Sequence, residues 1–401
     1  MKKTVYLLQQ TPMWHFQARE KYATLRATEL KPKLDRFLIE WWRRKTGADL
    51  MSKREWLIDD SHPAFDYKVK IISKGHTTRS MTDPNKKNND TLFFGNMGCP
   101  TKGKEPFLLV NEESGGITLE IMTFHKGLMQ LIDDALPTFF LVTNFGTRQD
   151  KGFGSFAVKE HMDDSEKLLK DWYGDRCFYM INYKTELVSK NTAKIFRDID
   201  TIYKVLKSGI RSGINHQPDY YIRSYLTRYF LNKHIGGEKR FIKVNEIGPI
   251  KGNHKHEHET TEAIPDGNYR YIRALLGATD KEKWDKSSFT INFKHVEGNN
   301  HKVIDRIPSP IVFKPVGNCL FILVNDIPEE IYGEEYELSS TMGRDRIKIP
   351  THNEFDMDDM MKGFMNDINS PETRRELKKM KPMPDFVARG IKMRMCRGGK
   401  D

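Results

Sequence analysis

Apolar positions in the first 160 residues recur at two spacings, and each spacing predicts an element. Residues 4–8 alternate weakly between polar and apolar and stop at Thr11-Pro12, which predicts a first strand closed by proline. Leu30, Leu34, Phe37, Leu38 and Trp41 then fall on one stripe at helical spacing. Pro32 is tolerated in that helix if it sits in the first turn, where a missing N–H costs nothing. Lys31, Lys33, Arg36, Arg43 and Arg44 lie off the stripe.

From Lys74 to Glu105 the chain turns to Gly, Pro, Asn and Lys and predicts a long loop. Strands are predicted again at Phe107–Val110 and Ile117–Ile121. A second helix follows, with Phe124, Leu128, Leu131, Ile132 and Leu136 as its stripe. A short apolar run at Phe139–Val142, a glycine-rich loop and Phe156-Ala157-Val158 complete the series. This is the βαββαβ order of a ferredoxin-like, RRM-like α+β sandwich, whose free sheet face suits RNA.

Later elements are harder to place. Cys177 to Tyr183 reads as a strand, and Ile195, Phe196, Ile199, Ile202, Tyr203 and Leu206 mark an amphipathic helix. Another helix is predicted around Tyr221–Leu231, with strands around Phe289–Val296, Ile311–Lys314 and Leu320–Val324. The expected organisation is a first ferredoxin-like domain over 1–165 and a diverged second one over 166–345. A helical, charged extension with a basic tail is expected over 346–401. Residues 326–366 carry eleven acids against four bases, whereas 372–401 carry ten bases against four acids.

Composition narrows the class. The chain has 401 residues, 38% of them hydrophobic, enough to bury cores in two domains. Its formal net charge of +11 favours anionic partners, nucleic acid first. The four cysteines form no CxxC pair, so neither a zinc ribbon nor a disulfide scaffold is indicated. No run approaches the roughly 20 apolar residues of a membrane span, and the opening Val5–Leu8 run is too short for a signal segment. A cytoplasmic protein that engages no membrane is expected.

The stretch NFGTRQDKGFGSF, Asn144 to Phe156, carries the densest chemistry. It fails the Walker pattern, because five residues separate Gly146 from Gly152 and Phe153 stands where lysine is needed. It also fails GxGxxG, lacking the third glycine. Lys151-Gly152-Phe153-Gly154 matches the first four RNP1 positions, but Ser155 replaces the aromatic. Two readings stay open: a tight turn whose glycines take positive φ, and a phosphate-binding loop using Arg148, Lys151 and the backbone amides.

GTRQDKGFGSF, after the second predicted helix, resembles the glycine-rich loop of the RAMP superfamily of CRISPR-associated proteins. TPMWHFQ and ATLRATELKPKLDRFLIEWW resemble that family's opening strand and first helix. They are closest to the form in the subunit capping the target-binding end of type III-B effector complexes. DRIPSPIVFKPV followed by CLFILV resembles a strand pair of its second domain. The resemblance covers residues 3–45, 105–160 and 300–325.

It implies a non-catalytic ribonucleoprotein subunit in antiviral defence that binds crRNA and target RNA beside other effector subunits, with no cofactor. Gly146, Gly152 and Gly154 would bring backbone amides to phosphates, with charge from Arg148 and Lys151. Arg26, Lys31 and Lys33 would add charge at the start of the first helix. Phe153 or Trp14 would stack on an unpaired base.

Two other functions share these features. A metal-independent CRISPR RNA-processing endoribonuclease would draw its general acid or base from His15 or His125. A loop aspartate, Asp83 or Asp90, is the candidate for cutting of target RNA. A generic RNA-binding protein outside CRISPR systems is the third reading. His254, His256 and His258 alternate with neighbouring residues in HKHEHE and form a candidate metal set.

Overall fold

The computed structural model describes residues 1–14, 25–59, 62–73, 76–80, 107–111, 116–185, 188–212, 220–242, 264–265, 267–279, 281–283, 290–296, 306–340 and 343–398. Where side chains alternate between apolar and polar, strands form with one buried face. Strand β1 (Lys2–Gln9) buries Val5 and Leu7 and exposes Thr4 and Tyr6. Helix α1 (Ala27–Thr46) sets Leu30, Leu34 and Leu38 into the same core, and ends where Gly47 adopts φ 73° and donates its N–H to the Arg43 carbonyl. Next come β2 (Lys68–Ser73), β3 (Ile117–Met122), α2 (Lys126–Val142) and β4 (Phe156–Val158).

The four strands form one antiparallel sheet in the order β2-β3-β1-β4. One face buries Ile117, Leu119 and Ile121 in the cluster that also holds Leu128, Ile132 and Leu136 of α2. Full burial of each such aliphatic side chain stabilises by about 1.5–3 kcal/mol.

The βαββαβ order is as expected, but its second strand is not. Residues 68–73 occupy that place, whereas Phe107–Asn111 pairs with His76–Ser80 and Met13–Trp14 in a separate three-stranded sheet. Part of the expected loop 74–105 is therefore strand, and residues 81–105 lie outside the described residues. Phe139–Val142 belongs to α2, where the rings of Phe37 and Phe139 pack 5.5 Å apart. A helix end buried nearly all round reads in sequence like a strand. Phe124, counted in the stripe, precedes the helix and is 94% exposed.

A second sheet repeats the arrangement. After α3 (Ser165–Tyr173) come β5 (Cys177–Asn182), α4 (Thr192–Tyr203), β6 (Ile311–Val316), β7 (Cys319–Val324) and β8 (Arg394–Arg397). Its order is β6-β7-β5-β8, and β5 runs antiparallel to both neighbours.

The chain divides into two compact units. The first comprises residues 1–200, 312–323 and 394–401, and the second 201–311 and 324–393. Segments 166–345 and 346–401 each contribute to both units: 166–200, 312–323 and 394–401 lie in the first, where β8 pairs with β5. In the second unit, Tyr220–Ile222 is a strand and the helix begins only at Tyr225, capped by the Ser224 hydroxyl. Arg228 in that helix grips Asp367 of helix Met357–Asn369 through two 2.6 Å hydrogen bonds. Within the basic tail, Arg374 donates to the carbonyls of Ile368, Phe386 and Ile391, so this charge braces the fold.

Candidate nucleic-acid interface

The glycine loop is a neck with a turn at its end. Asn144 and Ser155 form an antiparallel bridge, and the Phe145 N–H donates to the Gly154 carbonyl at 3.0 Å. Beyond the neck, Gly146, Arg148 and Gly152 take φ of 80°, 57° and 81° around a short turn at Gln149–Lys151. Gly154, at φ 63°, has no room for a side chain: an added Cβ would lie 1.9 Å from the Phe145 carbonyl oxygen. Its glycine is required by close backbone approach.

Backbone and hydroxyl groups of the loop are satisfied mainly within the protein. The Gly154 N–H donates to Pro12 O at 2.9 Å, and the Gly146 N–H to Glu29 Oε1 at 2.8 Å. Thr11 Oγ1 donates to Gly152 O at 2.6 Å and accepts from the Ser155 N–H at 3.0 Å. Ser155 Oγ donates to Pro315 O at 2.7 Å.

Two lysines clamp the neck. Lys33 Nζ donates to Asn144 O, Gln149 Oε1 and Glu29 Oε1 at 2.8–3.0 Å. Burial pulls its pKa below the ordinary lysine value against the attraction of Glu29. Lys314, fully buried in β6, donates to Thr143 O, Asn144 Oδ1 and Phe156 O at 2.9–3.1 Å. Burial, helped by the charge of Lys33, drives its pKa well below the ordinary value. Sequence reasoning missed Lys314, Glu29, Asn144, Gln149 and Thr11. The signal for Lys314 was a cation inside the apolar run IVFKPV, where a buried charge demands partners.

The residues expected to touch RNA separate into groups. Lys151 is buried, 2.9 Å from Asp150, and burial lowers its pKa to about 8. Lys31 faces away from the loop, bonding Asp35 Oδ2 at 2.9 Å and Phe65 O at 3.0 Å. Phe153 is buried and stacks on Phe196 with centroids 4.2 Å apart, so its ring packs the core and offers no platform for a base. Arg148 sits half-buried at the turn, and Arg26 is exposed at the N-terminus of α1. The Trp14 side chain lies outside the described residues.

His125 Nε2 meets Asp66 Oδ2 at 3.1 Å ahead of α2, a pairing separate from the loop neck. His15, Asp83, Asp90, His254, His256 and His258 lie outside the described residues. Among the described residues, no group of three His, Cys, Asp or Glu has the geometry to hold a metal ion, and no helix is long and apolar enough to cross a membrane.

Two family models match the chain, the Cmr1 N-terminal domain over residues 1–210 and the Cmr1 C-terminal domain over residues 221–392. These matches bring it into the class that its glycine loop resembles, the RAMP-like CRISPR-associated proteins. The chain belongs to the Cmr1 family.

Among solved structures, a chain of the type III-B Cmr-beta complex bound to cognate target RNA aligns with 39% of this chain at 10% identity and a TM-score of 0.23. The alignment spans 58% of that neighbour's length. The apo crystal structure of Cmr1 from Pyrococcus furiosus aligns along 100% of both chains, at 10% identity and a TM-score of 0.40. No curated protein matches.

Proposed function

We propose that the chain is a non-catalytic, RNA-binding subunit of a cytoplasmic type III-B CRISPR effector ribonucleoprotein, seated among other Cmr subunits on crRNA and target RNA. The observation that carries this reading is the Cmr1 family match across both halves of the chain. Two sheets with one strand order, β2-β3-β1-β4 and β6-β7-β5-β8, support reading both as ferredoxin-like. A net charge of +11 agrees with an anionic partner.

In this reading the glycine loop presents Arg148 to a phosphate from a rigid turn, with Arg26 adding charge. Lys33, Lys151 and Lys314 hold the loop in shape. The test is single-stranded RNA binding and co-purification with Cmr subunits for Arg148→Ala combined with Arg26→Ala. RNA affinity is expected to fall, and the salt dependence to become shallower by about 0.7 for each phosphate the variant no longer neutralises. RNA affinity and assembly both equal to the unsubstituted chain's would overturn the loop's role.

A further inference from the structure

The first sheet buries one face against α1 and α2, and its other face opens to solvent along β2, β3 and the first half of β1. Register pairs Met122 with both Lys2 and Lys68, Glu120 with Thr4 and Lys70, and Thr118 with Tyr6 and Ile72. These residues share one face, because side chains one position away in β1 and β3 enter the core. Toward β4 the face closes, since Ala157 packs with Phe178, Met180 and Phe321 of the second sheet.

On the open part, Tyr6 is a 53%-exposed aromatic in a central strand. Three lysines share the face of this ring. Lys2 and Lys70 share the single carboxylate of Glu120, at 2.7 and 3.9 Å, with side chains 51% and 61% exposed. The hydrogen bond from Lys2 and the two ammonium charges hold the Glu120 carboxyl below its ordinary pKa, keeping it ionised. Lys68 is exposed in the neighbouring row. The face therefore carries more positive than negative charge, with Thr4 in the row of Glu120 and Thr118 in the row of Tyr6.

We propose that this open face is a second RNA-binding surface, holding one or two unpaired nucleotides with a base stacked on Tyr6 and phosphates at Lys68, Lys70 and Lys2. The inference rests on the RNA-binding reading above but uses different residues from the glycine loop. An exposed ring supplies stacking to any base, and lysines beside it supply backbone charge, the combination by which flat sheets hold single strands. The flanking lysines suit a polyanion better than an apolar protein surface, which would bury those charges.

The test titrates the full chain against fluorescein-labelled oligouridylate over a range of salt. Tyr6→Ala is expected to weaken binding by roughly 5- to 100-fold. Lys68→Ala with Lys70→Ala is expected to lower the salt slope by about 1.4, at about 0.7 for each single-strand phosphate neutralised. Far-ultraviolet circular dichroism and melting temperature confirm the fold of each variant, and Tyr6→Phe, which keeps the ring, should restore affinity. Binding by the unsubstituted chain and both face variants with equal affinity and slope overturns this inference and leaves the subunit reading intact. No RNA binding by the unsubstituted chain overturns both. Loss of Cmr subunits from the face variants with unchanged RNA affinity makes the face a protein interface and also overturns it.

Discussion

Two sets of lysines in the first unit differ in where their ammonium groups end. Lys33, Lys151 and Lys314 cluster at the glycine loop, each drawn into the protein, and burial pulls the pKa of all three down. Lys2, Lys68 and Lys70 stand on an open sheet face, with Glu120 as the carboxylate that Lys2 and Lys70 share. Both sets look alike in sequence as cations beside glycine or apolar residues. The comparison teaches that a basic, glycine-rich motif can owe its cations to architecture, while less conspicuous lysines keep the exposure that a polyanion needs.

If the loop is architectural, stability should respond most at its tightest point. Gly154→Ala combines a positive φ with a Cβ forced against the Phe145 carbonyl. It should cost more than about 4 kcal/mol, read as disappearance of the cooperative denaturant transition.

Lys314→Met should follow. It leaves Thr143 O, Asn144 Oδ1 and Phe156 O without their amine donor, which should destabilise the protein by roughly 2–4 kcal/mol in denaturant unfolding.

The pH response of Lys151 is the next smaller effect. Its folded pKa of about 8 lies below the ordinary 10.5, so between those values the unfolded chain binds more protons. Stability relative to Lys151→Met should thus rise from pH 8 to 10.5, by up to about 3 kcal/mol. A pH-independent difference between the two proteins would remove the burial argument for this residue. On the sheet face, Lys68→Ala and Lys70→Ala should shift stability by less than about 0.5 kcal/mol, any larger change marking these lysines as structural.

How far the sequence discloses this molecule depends on whether a residue's partners are local. The α1 stripe at Leu30, Leu34 and Leu38 was readable because helical neighbours repeat every three to four residues. The βαββαβ order was readable too, with the wrong second strand: Phe107–Val110 was expected there, and Lys68–Ser73 holds the place. The loop's position between α2 and β4 was visible, but not the roles of its side chains. Nothing near Lys151 or Phe153 in sequence announces burial, since Phe196 lies far along the chain and the Lys33–Gln149 clamp joins two remote segments. Lys314 did carry a local signal in the apolar run around it, but its three acceptors lie far off in sequence, at residues 143–156.

The strand order of the second sheet also sets a timetable. All four strands of the first sheet have left the ribosome once residue 158 emerges, and its pairings can form at once. Strand β5 is made soon afterwards, yet its partners are β7, more than a hundred residues on, and β8, later still. Through that interval the apolar strand Cys177–Asn182 has two unpaired edges, the condition under which strands associate wrongly. Pairing of Arg394–Arg397 then closes its last edge, so completion of the first unit waits on residues near the far end of the sequence.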